Sequence, residues 1–403
     1  MRPLEGIRVV DLSTFVAAPS CGRLLAEWGA DVIKVEPIKG DVYRVAGIAQ
    51  KQPNFGDGLG NTAFDNENAS KRFIALNLKS EDGKEALYKL IASSDVFLTN
   101  MRPKALAKLG FNYEVLSEKY PRLIYADILA YGEKGPDKDR PGFDYTTFYA
   151  RTGLMIDLPT KGDYPVNVVS GFGDHIAGGI LAGAIAAALY KRDRTGEGDR
   201  LDAGLLQTGY FILSCPMLSA QHGMEFPRTH YAPNQCLSQN YKCADGEWVF
   251  IAATDYDKHF ANLVDKVMGH PEMLTDPMCS TRGEMLQHTA EMVDRFDKIF
   301  ITRTSTEWDE RLKEWDVPHE VVRHFKDIPN DEQAWANDYL IKYTYPNGHE
   351  AVFSNTPVFF KSSKPVPFKH ANRIGGDTAA VLSSIGYTEE ELQRMNEEGS
   401  IKL

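Results

Sequence analysis

The chain has 403 residues, of which 43% are hydrophobic and 25% are charged, a composition typical of a soluble globular protein with two or three domains. Its formal net charge of −11 argues against a nucleic-acid-binding protein, which needs a basic face, but permits an anionic small ligand held by local cations. The five cysteines form no C-x-x-C pair, so the sequence supports neither a zinc site nor a disulfide framework.

No apolar stretch approaches the roughly 18 uninterrupted residues of a membrane span. The opening residues, MRPLEGIRVVDLS, also have no apolar signal region. We therefore expect a cytoplasmic protein with no membrane segment and no bound metal.

The first 135 residues alternate strand and helix signals. Short segments rich in Val, Ile or Leu are the predicted strands, at 6–13, 31–37, 73–79, 95–100 and 123–132. Amphipathic stretches such as SCGRLLAEWGA lie between several of them. Near-continuous apolar strands separated by helices are typical of a parallel sheet covered on both faces, so we predict an α/β fold.

The stretch VVSGFGDHIAGGILAGA, at 168–184, leads through a glycine-rich turn into a helix that is apolar on every side and is therefore expected to be buried. Its carboxylate, Asp174, permits three interpretations. Gly171 and Gly173 resemble a dinucleotide-binding turn, although a carboxylate beside a pyrophosphate is unfavourable. Asp174 could instead be an ordinary N-cap. In the third interpretation it is a nucleophile, kept ionised by the helix dipole, among N–H groups that stabilise an oxyanion.

The later part of the chain changes in character. A hairpin is predicted around Asp245 and Gly246, and a capping box from Thr304 to Glu307 opens the last of three helical stretches. A strand pair around YPNGHEAVF follows. The predicted domains are 1–222 as the first part of a large α/β domain, 223–240 as a linker, 241–325 as a smaller α+β domain, and 326–403 as a return segment that completes the large domain.

Seven blocks, in this order along the chain, resemble family III of the CoA-transferases, the CaiB/BaiF type. They are PLEGIRVVDLSTFVAAPSCGRLLAEWGADVIKVEP, NASKRFIALNLKSEDGKEAL, LTNMRPKALAKLGF, GEKGPDKDRPGFDY, GDHIAG, RTGEGDRLD and DEQAWANDYL. Within the family, the chain is similar to the 2-hydroxyacid CoA-transferases of amino-acid-fermenting anaerobes, which act on phenyllactate or 2-hydroxyisocaproate. The resemblance implies a large Rossmann-like parallel-sheet domain, a smaller α+β domain and an intertwined homodimer.

The resemblance also implies a mechanism in which Asp174 is the catalytic nucleophile. Its carboxylate attacks an acyl-CoA, and an aspartyl anhydride and then an aspartyl-CoA thioester carry CoA to a free 2-hydroxy acid. An ordinary Asp, with a pKa of about 3.9, needs no general base for this attack. Coenzyme A is then a co-substrate, with no permanently bound cofactor, and a 2-hydroxyacyl-CoA dehydratase is the expected partner in the same pathway.

Other positions follow from the same resemblance. The residues matched to the CoA site are Val16, Ala17, Asn100, Met101, Ala105, Lys108 and Leu205. Aromatic residues and glycines near Asp174 are assigned to the substrate pocket, which is expected to be apolar: Phe143, Tyr145, Phe172, Gly171 and Gly173.

The chain departs from its relatives at three places. Pro37 replaces an arginine that contacts CoA in formyl-CoA transferases, and residues 236–260 lack their run of four glycines. Phe143 stands where 2-methylacyl-CoA racemases carry a catalytic histidine. A racemase-like isomerase, a family III transferase acting on a different acid, and a non-enzymatic CoA-binding protein remain alternatives at this point.

Overall fold

The computed structural model describes residues 1–45 and 61–403, which form two compact units. Unit 1 comprises Met1–Leu154, Val168–Leu218 and Glu332–Leu403, and unit 2 comprises Met155–Asn167 and Ser219–Asp331. These bounds differ from the predicted domains, because residues 155–167 belong to unit 2. The predicted linker is also part of unit 2, since Cys236 and Leu237 are buried in its core.

The described strands, in chain order, are β1 Arg8–Leu12, β2 Asp31–Glu36, β3 Arg72–Leu76, β4 Val96–Thr99, β5 Ile124–Leu129, β6 Asp199–Gly204, β7 Ser238–Lys242, β8 Trp248–Ala252, β9 His319–Val321, β10 Leu340–Thr344, β11 Glu350–Ser354 and β12 Ile401–Lys402. The described α-helices are α1 Ala17–Glu27, α2 Thr62–Asn68, α3 Glu81–Ala92, α4 Pro103–Leu109, α5 Tyr113–Lys119, α6 Leu154–Asp157, α7 Phe172–Thr195, α8 Leu205–Ile212, α9 Ser214–Gln221, α10 Tyr256–Ala261, α11 Arg282–Gln287, α12 Thr289–Phe300, α13 Ser305–Glu314, α14 Glu332–Ala336, α15 Thr378–Ser383 and α16 Glu389–Glu397. Two further turns, Tyr145–Ala150 and Asn262–Val267, are π-helical.

A seven-stranded sheet forms the centre of unit 1, in the order β12-β3-β2-β1-β4-β5-β6. Its pairings are parallel, except that β12 runs antiparallel to β3. The predicted parallel sheet is therefore confirmed, and its order is that of dinucleotide-binding folds. Ligands of such sheets bind beyond the carboxyl ends of the strands where the strand order reverses, which here is between β1 and β4.

Alternating side chains of this sheet face two hydrophobic cores. Val9 packs on one face with α1 and α7, whereas Val10 packs on the other with α3, α15 and α16. Helices α1 and α7 lie close together because Gly178 has no side chain. A Cβ built there would lie 2.2 Å from the Ser20 hydroxyl oxygen. Both helices begin beside the carboxyl ends of the strands, so this packing positions the candidate site.

Helix α7 is not buried on every side, contrary to the prediction. Leu181 is buried, whereas Ile180 and Tyr190 are 46% and 65% exposed. Among the described residues, α7 has the length and hydropathy of a helix that could cross a membrane. That test is weak evidence, because the core helix of a soluble protein also passes it. Among the described residues, none covers this exposed apolar face of α7.

Unit 2 is a small α+β unit with the antiparallel sheet β7-β8-β9. The predicted hairpin is confirmed, and Gly246 in its turn has a φ of 88°, which favours glycine. The capping box at Thr304 and Glu307 is confirmed as well. Trp308 and Tyr241 are completely buried in the core, so this unit has a hydrophobic core of its own.

Candidate active site

A cleft of about 710 Å³ opens at the carboxyl ends of β1, β4 and β5, where the strand order of the unit 1 sheet reverses. Its walls come from the loop after β1, the start of α4, the segment after β5, and the first turns of α7 and α8. Many of the predicted site residues line it together: Val16, Ala17, Asn100, Met101, Ala105, Lys108, Phe143, Asp174 and Leu205. Sequence positions far apart therefore meet in one cleft.

Asp174 is the third residue of α7 and does not cap it. The N-cap is Gly171, at a φ of 87°, which has no side chain to accept a hydrogen bond from the first turn. The N-cap interpretation is therefore wrong. The dinucleotide interpretation is wrong too, because residues 164–169 are irregular and the strand that such a turn requires is missing. Within the described part of the chain, no hydrogen bond or ion pair engages the partly buried Asp174 carboxylate.

Burial, together with the nearby carboxylates of Asp144 and Glu67, raises the pKa of Asp174 to about 7, against the opposing effect of His175. This corrects the expectation of an unperturbed carboxylate kept ionised by the helix dipole. A carboxylate with a pKa near 7 is more basic than an ordinary Asp and is still ionised in part at neutral pH. Its environment suits a nucleophile better than a structural role.

Asp144 holds the turn that precedes α7. Its Oδ2 accepts a hydrogen bond from the Gly171 backbone N–H at 2.8 Å, and its Oδ1 accepts one from the N–H of Tyr145 at 2.8 Å. Burial raises the pKa of Asp144 as well. No sequence pattern singled out Asp144, although it lies directly beside Phe143 in the segment GEKGPDKDRPGFDY. It fixes the backbone around Asp174 and adds negative charge to the site.

Four residues assigned to the substrate pocket do not belong to the described lining of the cleft: Gly171, Gly173, Tyr145 and Phe172. A Cβ at Gly173 would lie 2.3 Å from Cγ of Phe148, so this glycine permits close packing within the core. The ring of Phe172 is 51% exposed and stacks on Tyr149 at 6.1 Å. These four residues therefore lie outside the described lining of this cleft, and their assignment to the substrate pocket stays a prediction.

Phe15, for which the sequence carries no signal of a site role, pairs with Phe143 in the wall of the cleft. Their ring centroids lie 5.4 Å apart in an edge-to-face arrangement. Phe15 has a φ of 62°, a left-handed backbone conformation that is unfavourable for a non-glycine residue. Such conformations persist where the surrounding structure enforces them, and they cluster at functional sites.

Asn100 provides that restraint. Its Oδ1 accepts a hydrogen bond from the N–H of Thr14 at 3.0 Å, and its Nδ2 donates to the Thr14 carbonyl at 2.7 Å. The buried ammonium of Lys34 donates to the carbonyl of Ser13 at 2.8 Å and pairs with Asp41 at 3.1 Å. Asn100 thus lines the cleft, as predicted, but its amide ties the loop after β1 to the end of β4.

The cleft is rich in cations, although the whole chain is acidic. Its lining includes Arg102, Lys104, Lys108, Lys138 and Arg140. Lys104 pairs with Asp139 at 2.8 Å, whereas Arg102, Lys108 and Lys138 have no ion-pair partner among the described residues. Among the described residues, no group of three or more His, Cys, Asp or Glu side chains could hold a metal ion. The local charge suits an anionic ligand.

A second cleft, also of about 710 Å³, lies at the carboxyl ends of β1, β2 and β3 and shares Thr14 and Met101 with the first. Lys39 and Lys79 lie in its lining, as does Pro37, at the position of the missing arginine. Together, the two clefts provide space for an elongated ligand on both sides of the loop that follows β1.

The comparisons with known proteins agree with this geometry. The profile of CoA-transferase family III matches residues 4–378. The chain is 41% identical to the (R)-2-hydroxy-4-methylpentanoate CoA-transferase of Clostridioides difficile, over 98% of each chain. It is 39% identical to the cinnamoyl-CoA:phenyllactate CoA-transferase of Clostridium sporogenes, over 99% of this chain and 97% of that one.

Among solved structures, a CaiB/BaiF family protein from Brucella suis superposes with a TM-score of 0.80 at 26% identity, over 95% of this chain and 99% of that one. The relatives support an enzyme that transfers CoA. The resemblance in the sequence is thus confirmed, and the chain belongs to family III of the CoA-transferases.

Proposed function

We propose that this enzyme moves CoA from an acyl-CoA, either 2-enoyl or 2-hydroxyacyl, to a free 2-hydroxy acid such as 2-hydroxyisocaproate or phenyllactate. The observation that carries the proposal is the carboxylate of Asp174, which has no partner among the described residues, in a cleft where Arg102, Lys108 and Lys138 also have no ion-pair partner among them. The names of the two relatives described above support the class of acid.

The proposed mechanism is covalent catalysis at Asp174. The ionised carboxylate attacks the thioester carbonyl, and the CoA thiolate leaves as an aspartyl anhydride forms. The thiolate then attacks the aspartyl carbonyl, which releases the donor acid and leaves an aspartyl-CoA thioester. The carboxylate of the acceptor attacks that thioester, and the released thiolate finally takes the acceptor acyl group, which restores the Asp174 carboxylate.

In the proposed complex, the cations of the cleft bind CoA and the aromatic pair binds the acid. Arg102, Lys108 and Lys138 are free to contact the phosphates of CoA, which carry its negative charge. Phe15 and Phe143 offer apolar surface beside Asp174, which suits a bulky side chain on the acid. Each buried methylene contributes about 0.8 kcal/mol, and an isobutyl group adds roughly three such carbons to a methyl group. The kcat/KM for the isobutyl acid should therefore be higher by roughly 50-fold.

We also propose that the enzyme is an intertwined homodimer. The exposed apolar face of α7 supports this, since Ile180 and Tyr190 would be covered by a second copy of the chain. Exposed apolar residues continue along the next helices of unit 1: Tyr210, Phe211, Met217 and Leu218. Mass photometry at nanomolar concentration should show a dimer only, because linked chains cannot separate without unfolding. A reversible monomer would contradict the proposal.

A cytoplasmic location is proposed as well, supported by five cysteines that all remain unpaired. We place the enzyme in amino-acid fermentation, with a 2-hydroxyacyl-CoA dehydratase as the partner that consumes its product. The names of the relatives support the substrate side of this assignment.

A screen of acyl-CoA donors against 2-hydroxy acids tests the function, with product masses as the readout. Donor supplied without acceptor should leave an aspartyl-CoA adduct, and hydroxylamine should then inactivate the enzyme with the modification at Asp174. An unmodified Asp174 peptide after donor-dependent inactivation would contradict the mechanism. Isomerised acyl-CoA without transfer would indicate a racemase-like enzyme instead.

A further inference from the structure

The proposed mechanism does not use the side chain next to Asp174, although the structure holds it in place. Nε2 of His175 lies 3.0 Å from both carboxylate oxygens of Glu67, on α2. Glu67 is buried, and the side chain of Asn66 donates a hydrogen bond to it at 2.7 Å. The imidazole is therefore oriented by a fixed carboxylate, while its own side chain remains 48% exposed.

The Nδ1 edge of the ring lies beside Gly171, close to a residue that lines the cleft, although His175 itself is not part of the cleft lining. A Cβ built on Gly171 would lie 3.4 Å from Nδ1 of His175 and 3.7 Å from Cγ1 of Val16, which lines the cleft. The missing side chain at Gly171 thus leaves room for the Nδ1 edge beside Val16. No protein group in the described residues hydrogen-bonds this nitrogen, so it is available to a ligand.

The charges around the ring favour its protonated form. Burial lowers the pKa of His175, but the carboxylates of Glu67 and Asp174 together outweigh burial and the net shift is upward. Arg23, on α1, opposes this upward shift. With Nε2 donating to Glu67, a protonated ring also carries a hydrogen on Nδ1, which makes that nitrogen a donor.

We propose that His175, oriented by Glu67, donates a hydrogen bond from Nδ1 to the 2-hydroxyl group of the acceptor acid. The proposal rests on the proposed function and names the residue that selects 2-hydroxy acids over their 2-deoxy analogues. The acceptor carboxylate must reach the carbonyl carbon of Asp174, and its hydroxyl is one carbon away from that carboxylate. A donor on the adjacent residue is well placed to meet it, because a hydroxyl buried without a partner is unfavourable.

The test compares (R)-2-hydroxy-4-methylpentanoate with 4-methylpentanoate as acceptors. The measured quantity is the ratio of their kcat/KM values, or of their competitive inhibition constants where turnover of the deoxy acid is undetectable. His175→Gln keeps an amide near the Nε2 position, for Glu67, but removes the Nδ1 donor. His175→Asn does the reverse, because its amide lies near the Nδ1 position. Glu67→Gln keeps a hydrogen bond to the ring but removes the negative charge.

His175→Gln should reduce the preference for the hydroxy acid by about 10- to 100-fold, the usual effect of losing a charge-assisted hydrogen bond. His175→Asn should retain most of the preference, and Glu67→Gln should give an intermediate loss. Equal losses for both acids in His175→Gln would overturn the proposal and assign His175 to Asp174 or to the carboxylate. A wild-type enzyme that transfers CoA to no 2-hydroxy acid, phenyllactate included, would instead refute the proposed function.

Discussion

Replacing Asp174 with Asn should stabilise the folded protein while it abolishes CoA transfer. Burial holds the pKa of this carboxyl at about 7, against a usual value of 3.8, so folding disfavours the charged form. Without solvent screening, this pKa shift would lower the free energy of unfolding of the wild type by about 4 kcal/mol at high pH. Because the carboxylate is only partly buried, solvent screening reduces the expected gain to about 1–2 kcal/mol. Asn is neutral and nearly the same size, so it avoids this cost.

The gain should depend on pH with a defined sign. Below the unfolded-state pKa, Asp174 is protonated in both states, so wild type and variant should unfold alike. Between about pH 4 and pH 7 the unfolded chain loses its proton first, so the wild type becomes progressively less stable than the variant. Above about pH 7 the difference should be constant.

Thermal unfolding between about pH 5 and pH 8 measures this difference, at roughly 2–4 °C per kcal/mol. Glu390→Gln is the matched control, because Glu390 is an exposed carboxylate in the first turn of α16 and should show no such trend. If Asp174→Asn is no more stable than wild type at pH 8, the reasoning about burial is refuted. Residual turnover above a few per cent, after deamidation is controlled, would refute the assignment of the nucleophile.

Three further outcomes are expected. kcat/KM for the acyl-CoA donor should rise with pH and level off above about 7, since the ionised Asp174 attacks; a flat profile would contradict this. Lys108→Ala should raise the KM for the acyl-CoA donor about fivefold and weaken the salt dependence of that KM. Lys298→Ala, at an exposed lysine of unit 2, is the control and should leave the donor KM unchanged. Gly173→Ala should cost about 1–3 kcal/mol through its contact with Phe148; Gly283→Ala in α11, where the built Cβ has an ordinary contact, is the comparison by thermal unfolding.

The fold was largely readable from the sequence because most sheet strands are apolar runs. Strand β6 was missed, since its sequence DRLDAG carries charges at Asp199, Arg200 and Asp202 and pairs at an edge of the sheet. Strand β12 was missed because it has only two residues. Neither strand has a periodic signal of its own, so only tertiary pairing reveals them.

The candidate site could be predicted only in part. Asp174 was detectable because a lone carboxylate stands at the head of an apolar helix. Asp144, Glu67 and Phe15 come from three separate segments, and their relevance depends on contacts that a linear pattern does not encode. The exposed face of α7 was missed for a related reason, because an all-apolar helix has the same sequence signature whether its own chain or a second copy covers it.

The pairing of β12 with β3 also affects how the protein is made. Ile401 lies opposite Leu76, so an edge of the central sheet is completed by residues synthesised long after the strand they pair with. Until they leave the ribosome, the nascent chain carries an unpaired edge at β3, and such edges favour aggregation. Most of unit 2 is encoded in the continuous segment Ser219–Asp331 and can be translated in full before that edge is closed. Pairing at this edge of the central sheet is therefore expected to form only after Ile401 and Lys402 have been synthesised.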